Sequence, residues 1–133
     1  HEAQLSYQAV AILREIDRIE GRDLVFTTTG ETQISGFSKL KVRLDAASQV
    51  TGWIFHDLRR TATTGMARLG IQPHVADKIL NHRQGTINGV AGVYNRFQYQ
   101  PERRAALQAW ANFLSSLLTA APTNVIKLTR AEG

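Results

Sequence analysis

At 133 residues with 43% apolar side chains, the chain is long enough for one compact domain with its own core. The lack of cysteine excludes a disulfide framework and a thiolate metal site, no apolar run reaches the length of a membrane span, and HEAQLSYQ has neither an initiating Met nor the apolar stretch of a signal peptide. The net charge of +5 is uneven: residues 1–23 sum to −2, residues 56–104 to +5, and arginine outnumbers lysine twelve to four. Guanidinium groups favour bidentate phosphate contacts, so the expected partner is a polyanion, most simply nucleic acid. The opening residues read as those of a piece of a longer protein.

Ala9, Ile12, Leu13, Ile16 and Ile19 recur at helical spacing between Ser6 and Gly21, which predicts an amphipathic helix over that stretch. Leu24-Val25-Phe26 reads as a short strand or a buried connection, and TTTGETQ after it as a loop. Ser35 is the expected cap of a second helix with Phe37, Leu40 and Leu44 on its apolar face. Leu58, Ala62, Met66 and Leu69 line one side of a third helix, which Gly70 ends as the residue past the cap. Pro73 opens a short fourth helix through Leu80, and RQGTING breaks the pattern. A final helix from about Pro101 is expected to bury Leu107, Trp110, Leu114 and Leu117, with a tail of weak periodicity after it. The expected class is mainly α, with no internal repeat.

The stretch HDLRRT puts two arginines in the first turn of the third helix, at the end whose macrodipole repels cations. A bound anion would make that placement useful. His56 and Arg59, three apart, share a helix face and can converge on one phosphate, whereas Arg60 points elsewhere and has Asp57 three residues before it as an ion-pair partner. Taken alone, H-x-x-R is a weak motif. Further on come Leu80-Asn81-His82 and, twelve residues after that histidine, Tyr94 within GVYNR.

The order HDLRRT, LNH, GVYNR and then the helix PERRAALQAWANFL resembles the C-terminal catalytic domain of phage-type tyrosine recombinases, the integrases, over roughly residues 1–118. The resemblance implies a compact helical catalytic domain whose small β-sheet lies mostly outside this chain, followed by a C-terminal tail at 119–133. It implies site-specific DNA recombination, with strand cleavage and rejoining through a 3′-phosphotyrosine and without metal or cofactor. Tyr94 would be the nucleophile, Arg59 would clamp the non-bridging oxygens, His82 would donate to the same phosphate, and His56 would help move the tyrosine proton. Arg60, His74, Lys78, Arg83 and Arg96 are the expected DNA contacts. The implied partners are duplex attachment sites and other protomers on the DNA, with no membrane, in the cytoplasm of a prokaryotic cell and at the nucleoid when acting. A further arginine on an upstream helix and a lysine on a β-hairpin would precede His1, so this stretch alone is expected to be inactive or nearly so. The usual glycine between leucine and histidine is Asn81 here.

General chemistry is consistent with these roles. A free phenol, with a pKa of about 10, needs a neighbouring base and a positive field to attack at neutral pH. Fixed guanidinium and imidazole donors stabilise a phosphoryl transition state without metal, and Asp57 and Asp77, the only carboxylates between His56 and Arg96, are too few for a two-metal nuclease. Tyr99 is the rival nucleophile, but its position before the Pro101 helix suits packing. The alternative is a non-catalytic helix-turn-helix in which Gln72, His74, Lys78 and Asn81 read a groove.

Overall fold

The computed structural model describes residues 2–82 and 97–119, and the chain there is mainly helical, with no strand among the described residues. The elements are α1 (Tyr7–Arg14), α2 (Phe37–Ser48), α3 (Phe55–Arg68), α4 (Pro73–Ile79) and α5 (Gln100–Leu118). Helix α5 is the hub, packing against α4, α3 and α1, while α3 also touches α4.

Local chemistry explains most of the ends. The Ser6 hydroxyl accepts the Ala9 N–H at 3.2 Å and caps α1. That helix stops at Arg14, well short of Gly21. Isolated helices of this length are marginal, and packing on a neighbour decides where they end. The side chains that α1 sets against α5 lie near its start, where Gln8 Nε2 reaches Asn112 at 2.9 Å, and Ile12 is already exposed. Helix α2 begins after Gly36, whose φ of +78° suits glycine, rather than at a Ser35 cap. Phe37, Leu40 and Leu44 on α2 are exposed, and so are Val25 and Phe26. The run before α2 is therefore neither strand nor buried connection.

Two matching turns set the geometry of α3, α4 and the segment that bears His82. Past α3, Gly70 sits at φ +77°, its N–H reaching Ala67 O at 3.0 Å while the Ile71 N–H reaches Met66 O at 3.0 Å. These are the two bonds of a Schellman motif. Past α4, Asn81 takes the same left-handed conformation at φ +52°, with Asn81 N–H to Lys78 O at 3.3 Å and His82 N–H to Asp77 O at 3.0 Å. Asparagine tolerates this region, which explains how it stands where glycine was expected. Pro73 occupies the first turn of α4, where its missing N–H costs nothing.

The core lies where α3, α4 and α5 meet. Met66 is 1% exposed, and Val75, Ala76 and Ala106 are buried with it. Gly65 lets the helices approach: a Cβ there would fall 2.1 Å from Cζ3 of Trp110. On α5 the buried side chains are Arg103 and Ala106; Leu107 and Trp110 are half-buried, and Leu114 and Leu117, expected inside, are exposed. The face turned to α4 carries the small Ala106, while Leu114 and Leu118 of the last turns line an open, largely apolar groove with Ala9 and Ile12 of α1.

Candidate functional site

The arginines of HDLRRT part company at once. Asp57, in the first turn of α3, accepts the Ile54 N–H on Oδ2 at 2.9 Å and pairs through Oδ1 with Arg60 Nη1 at 3.2 Å. A carboxylate there complements the positive end of the helix and supplies one half of a capping box; Ile54 has no side-chain acceptor for the other half. The Ile54 N–H above all, then the charge of Arg60 beside it, holds the Asp57 carboxyl below the usual carboxylate value.

Arg59 instead turns away from its own helix end. Its Nη2 donates to the carbonyl of Leu80, the cap residue of α4. That carbonyl is one of the orphan acceptors at a helix C-terminus, where the dipole favours a cation. The misplaced charge of the sequence is thus moved to the negative end of the neighbouring helix. Thr63 Oγ1 donates to Arg59 O at 2.9 Å, so its hydroxyl is committed to the backbone one turn back.

His82 arrives beside Arg59 through the Asn81 turn. Its Nδ1 lies 3.0 Å from Asp77 Oδ1. His56, Arg59, Arg60, Thr63, Thr64 and His82 together line an open cleft of about 310 Å³. Among the described residues, three cationic or ionisable side chains of α3 and one from beyond α4 face it, and no carboxylate is on its wall. Such a surface suits an acceptor-only anion, which its N–H groups can bind from several sides. Among the described residues no group of three or more His, Asp or Glu side chains is placed to hold a metal ion.

His56 and Arg59, one helical turn apart, and His82, which stands far from them in the sequence, therefore share one cleft, and Arg60 reaches its rim while bound to Asp57. Tyr94, Arg83 and Arg96 lie outside the described residues. His74 is elsewhere: its ring packs 4.7 Å from that of Tyr99, at the start of α4, whereas the cleft lies beyond the helix's other end. Lys78 is half-buried on α4 and is not on the cleft wall. Seven helical residues span roughly 10 Å, which separates Tyr99 from His82 and disfavours it as a nucleophile for this cleft.

Residues not singled out from the sequence also belong here. Thr63 and Thr64 come four positions after Arg59 and Arg60, a spacing that helix periodicity makes legible. Asp77 as partner of His82 had no such signal, because five positions on a continuous helix do not share a face. Of the residues that would read a groove in the helix-turn-helix alternative, Gln72 and Asn81 are exposed and His74 and Lys78 are half-buried.

No helix among the described residues is long and apolar enough to cross a membrane. The chain is similar to Prophage integrase IntA of Escherichia coli (strain K12), 30% identical over 131 residues, which is 97% of this chain and 30% of that relative. The chain thus spans less than a third of the curated relative it matches. No family model matches the chain. No solved structure matches it.

Proposed function

We propose that this chain forms part of the catalytic unit of a tyrosine-type DNA integrase, with residues 1–118 as that part and 119–133 as its tail. The observation that carries the reading is the convergence of His56, Arg59 and His82 from two separate segments on one cleft whose described wall holds no carboxylate. In this reading the cleft holds the scissile phosphate of duplex DNA. Arg59 has five N–H groups, of which the bond to Leu80 uses only part, and the rest serve the non-bridging oxygens. His82 donates to the same phosphate, and His56, exposed at the cleft edge, exchanges a proton with the attacking phenol.

Tyr94 is the proposed nucleophile. Its phenolic oxygen forms the bond to phosphorus as the bond to the 5′ oxygen breaks, that oxygen takes up a proton, and the phenolic proton passes to a base. The phosphodiester energy is kept in the phosphotyrosine, so rejoining needs no nucleotide. Arg60, Arg83 and Arg96 are proposed contacts to flanking phosphates, and other protomers on the DNA are proposed partners. The similarity to a prophage integrase supports this reading, which also places the protein in a prokaryotic cytoplasm.

The test is a protein–DNA adduct that survives denaturation, formed by the protein at its full encoded length on a nicked duplex carrying the attachment sequence. Peptide mapping is expected to place the DNA on Tyr94, and Tyr94→Phe to abolish the adduct. The 133-residue chain alone is expected to bind the duplex in a salt-sensitive way, with a log–log slope of about −0.9 per phosphate neutralised, and to give little adduct. An adduct that maps to Tyr99, or that persists in Tyr94→Phe, would overturn the assignment.

A further inference from the structure

We propose that Asp77 is a positioning residue that makes the contact between His82 and a phosphate conditional on protonation, so the cleft grips DNA more tightly as pH falls through the imidazole range. The inference rests on the cleft being a phosphate site, and it adds a regulation that the catalytic reading does not contain.

The pairing begins in the backbone. The left-handed turn at Asn81 folds the chain back so that the His82 N–H meets Asp77 O at 3.0 Å, and the side chains of the same two residues then meet at 3.0 Å. An ionised carboxylate can only accept, so the ring nitrogen facing it must carry the hydrogen. A neutral imidazole has one such hydrogen. With Nδ1 committed, Nε2 of the neutral ring is a bare lone pair. Phosphate oxygens are acceptors as well, so neutral His82 in this tautomer has nothing to offer them. Only the imidazolium presents Nε2–H to the cleft while it keeps the Asp77 bond.

Asp77 is absent from the cleft wall and therefore acts through His82. Among the described residues, the charged and titratable groups facing the ring are His56, Arg59 and Arg60 from α3 and Asp77 from α4. An incoming phosphate adds negative charge beside the ring, so proton uptake accompanies binding.

The test has two arms on the 133-residue chain. Nitrogen-15 NMR of the histidine rings without DNA reads the tautomer directly: neutral His82 is expected to be Nδ1–H in the wild type. In Asp77→Asn, whose amide can donate to Nδ1, the proton is expected to move to Nε2. Fluorescence anisotropy with a labelled duplex oligonucleotide, at constant ionic strength, then reads affinity. Between about pH 8 and pH 6, spanning the imidazole range, the wild type is expected to gain affinity over His82→Gln by up to about tenfold, the scale of one charge-assisted hydrogen bond. Asp77→Asn is expected to lose that pH-dependent increment. A purely structural Asp77 would instead weaken binding equally at every pH, and that result overturns the proposal. So does an Nε2–H tautomer in the wild type, which would leave the phosphate reading standing. If the wild-type ring is Nδ1–H but no duplex binds at any pH, the phosphate reading fails, and the conditional contact fails with it.

Discussion

The guanidinium of Arg59 on α3 is bonded to the carbonyl of Leu80, which ends α4. One side chain thus links two helices and brings the segment bearing His82 against the helix bearing His56. A charge-assisted bond to a half-buried carbonyl contributes about 2 kcal/mol. Arg59→Ala is expected to lower unfolding stability by that order in urea titrations and to weaken duplex binding. Arg59→Lys keeps the charge but loses the planar fork, so it is expected to recover part of the stability and little of the phosphate contact. Equal stability in wild type and Arg59→Ala would remove the tether from the account.

Gly65 gives a prediction whose sign is diagnostic. In an exposed helix, replacing glycine with alanine gains about 1 kcal/mol. Here the new Cβ would lie 2.1 Å from Cζ3 of Trp110 and 2.5 Å from Cη2. Gly65→Ala is therefore expected to destabilise by about 1–3 kcal/mol through overpacking. In a Trp110→Phe background, which lacks the outer ring, the same change should cost much less. The four melting temperatures of the double-mutant cycle decide it.

Asp57 has its folded pKa held below the ordinary carboxylate value of 3.8. A depressed carboxylate pKa gives stability that is fully present above the unfolded value and is lost as pH falls through the folded one. The melting-temperature gap between wild type and Asp57→Ala is thus expected to be flat from roughly pH 5 to 8 and to shrink below pH 4. Asp57→Asn keeps an acceptor for the Ile54 N–H and is expected to fall between the two. A gap that widened on acidification would contradict the assigned cause.

Asn81 holds φ +52° as the pivot between α4 and His82. Asn81→Gly is expected to preserve or slightly raise stability, since glycine enters this region freely. Asn81→Val, with a β-branched side chain, is expected to cost about 1–3 kcal/mol and to break the approach of His82 to Asp77. Thermal melts and the His82 ring resonances report the two effects separately.

Punctuation by glycine and proline is what the sequence shows most clearly. Gly70 and Pro73 mark the end of α3 and the start of α4 because each acts through its own backbone. His56 and Arg59 are likewise legible as neighbours, being one helical turn apart. Features that depend on a second element escape. Ile16 and Ile19 continue the apolar stripe of α1 in sequence, yet the helix has ended before them. Arg103 reads as a surface cation, but it is 3% exposed, its Nη2 donating to the carbonyl of Glu2 about a hundred residues away in the chain. The convergence of His82 on Arg59 needed both the Asn81 turn and the Leu80 bond, neither of which has a spacing rule. Tyr94 lies outside the described residues, and its place in the site is part of the proposal.

The hydrogen bonds between α1 and α5 have a kinetic meaning. Gln8 reaches Asn112, and Gln108 returns to Gln8 and to the Tyr7 N–H, across sequence separations of 100 to 104. A chain emerging from the ribosome produces α1 about a hundred residues before its berth, so that helix waits until the intervening segment has been made. Non-local closures of this kind slow folding, because the entropy of bringing the ends together is lost before any contact compensates it. Docking of α1 is therefore expected to be a late event, with α3, α4 and α5 assembling around Met66 beforehand.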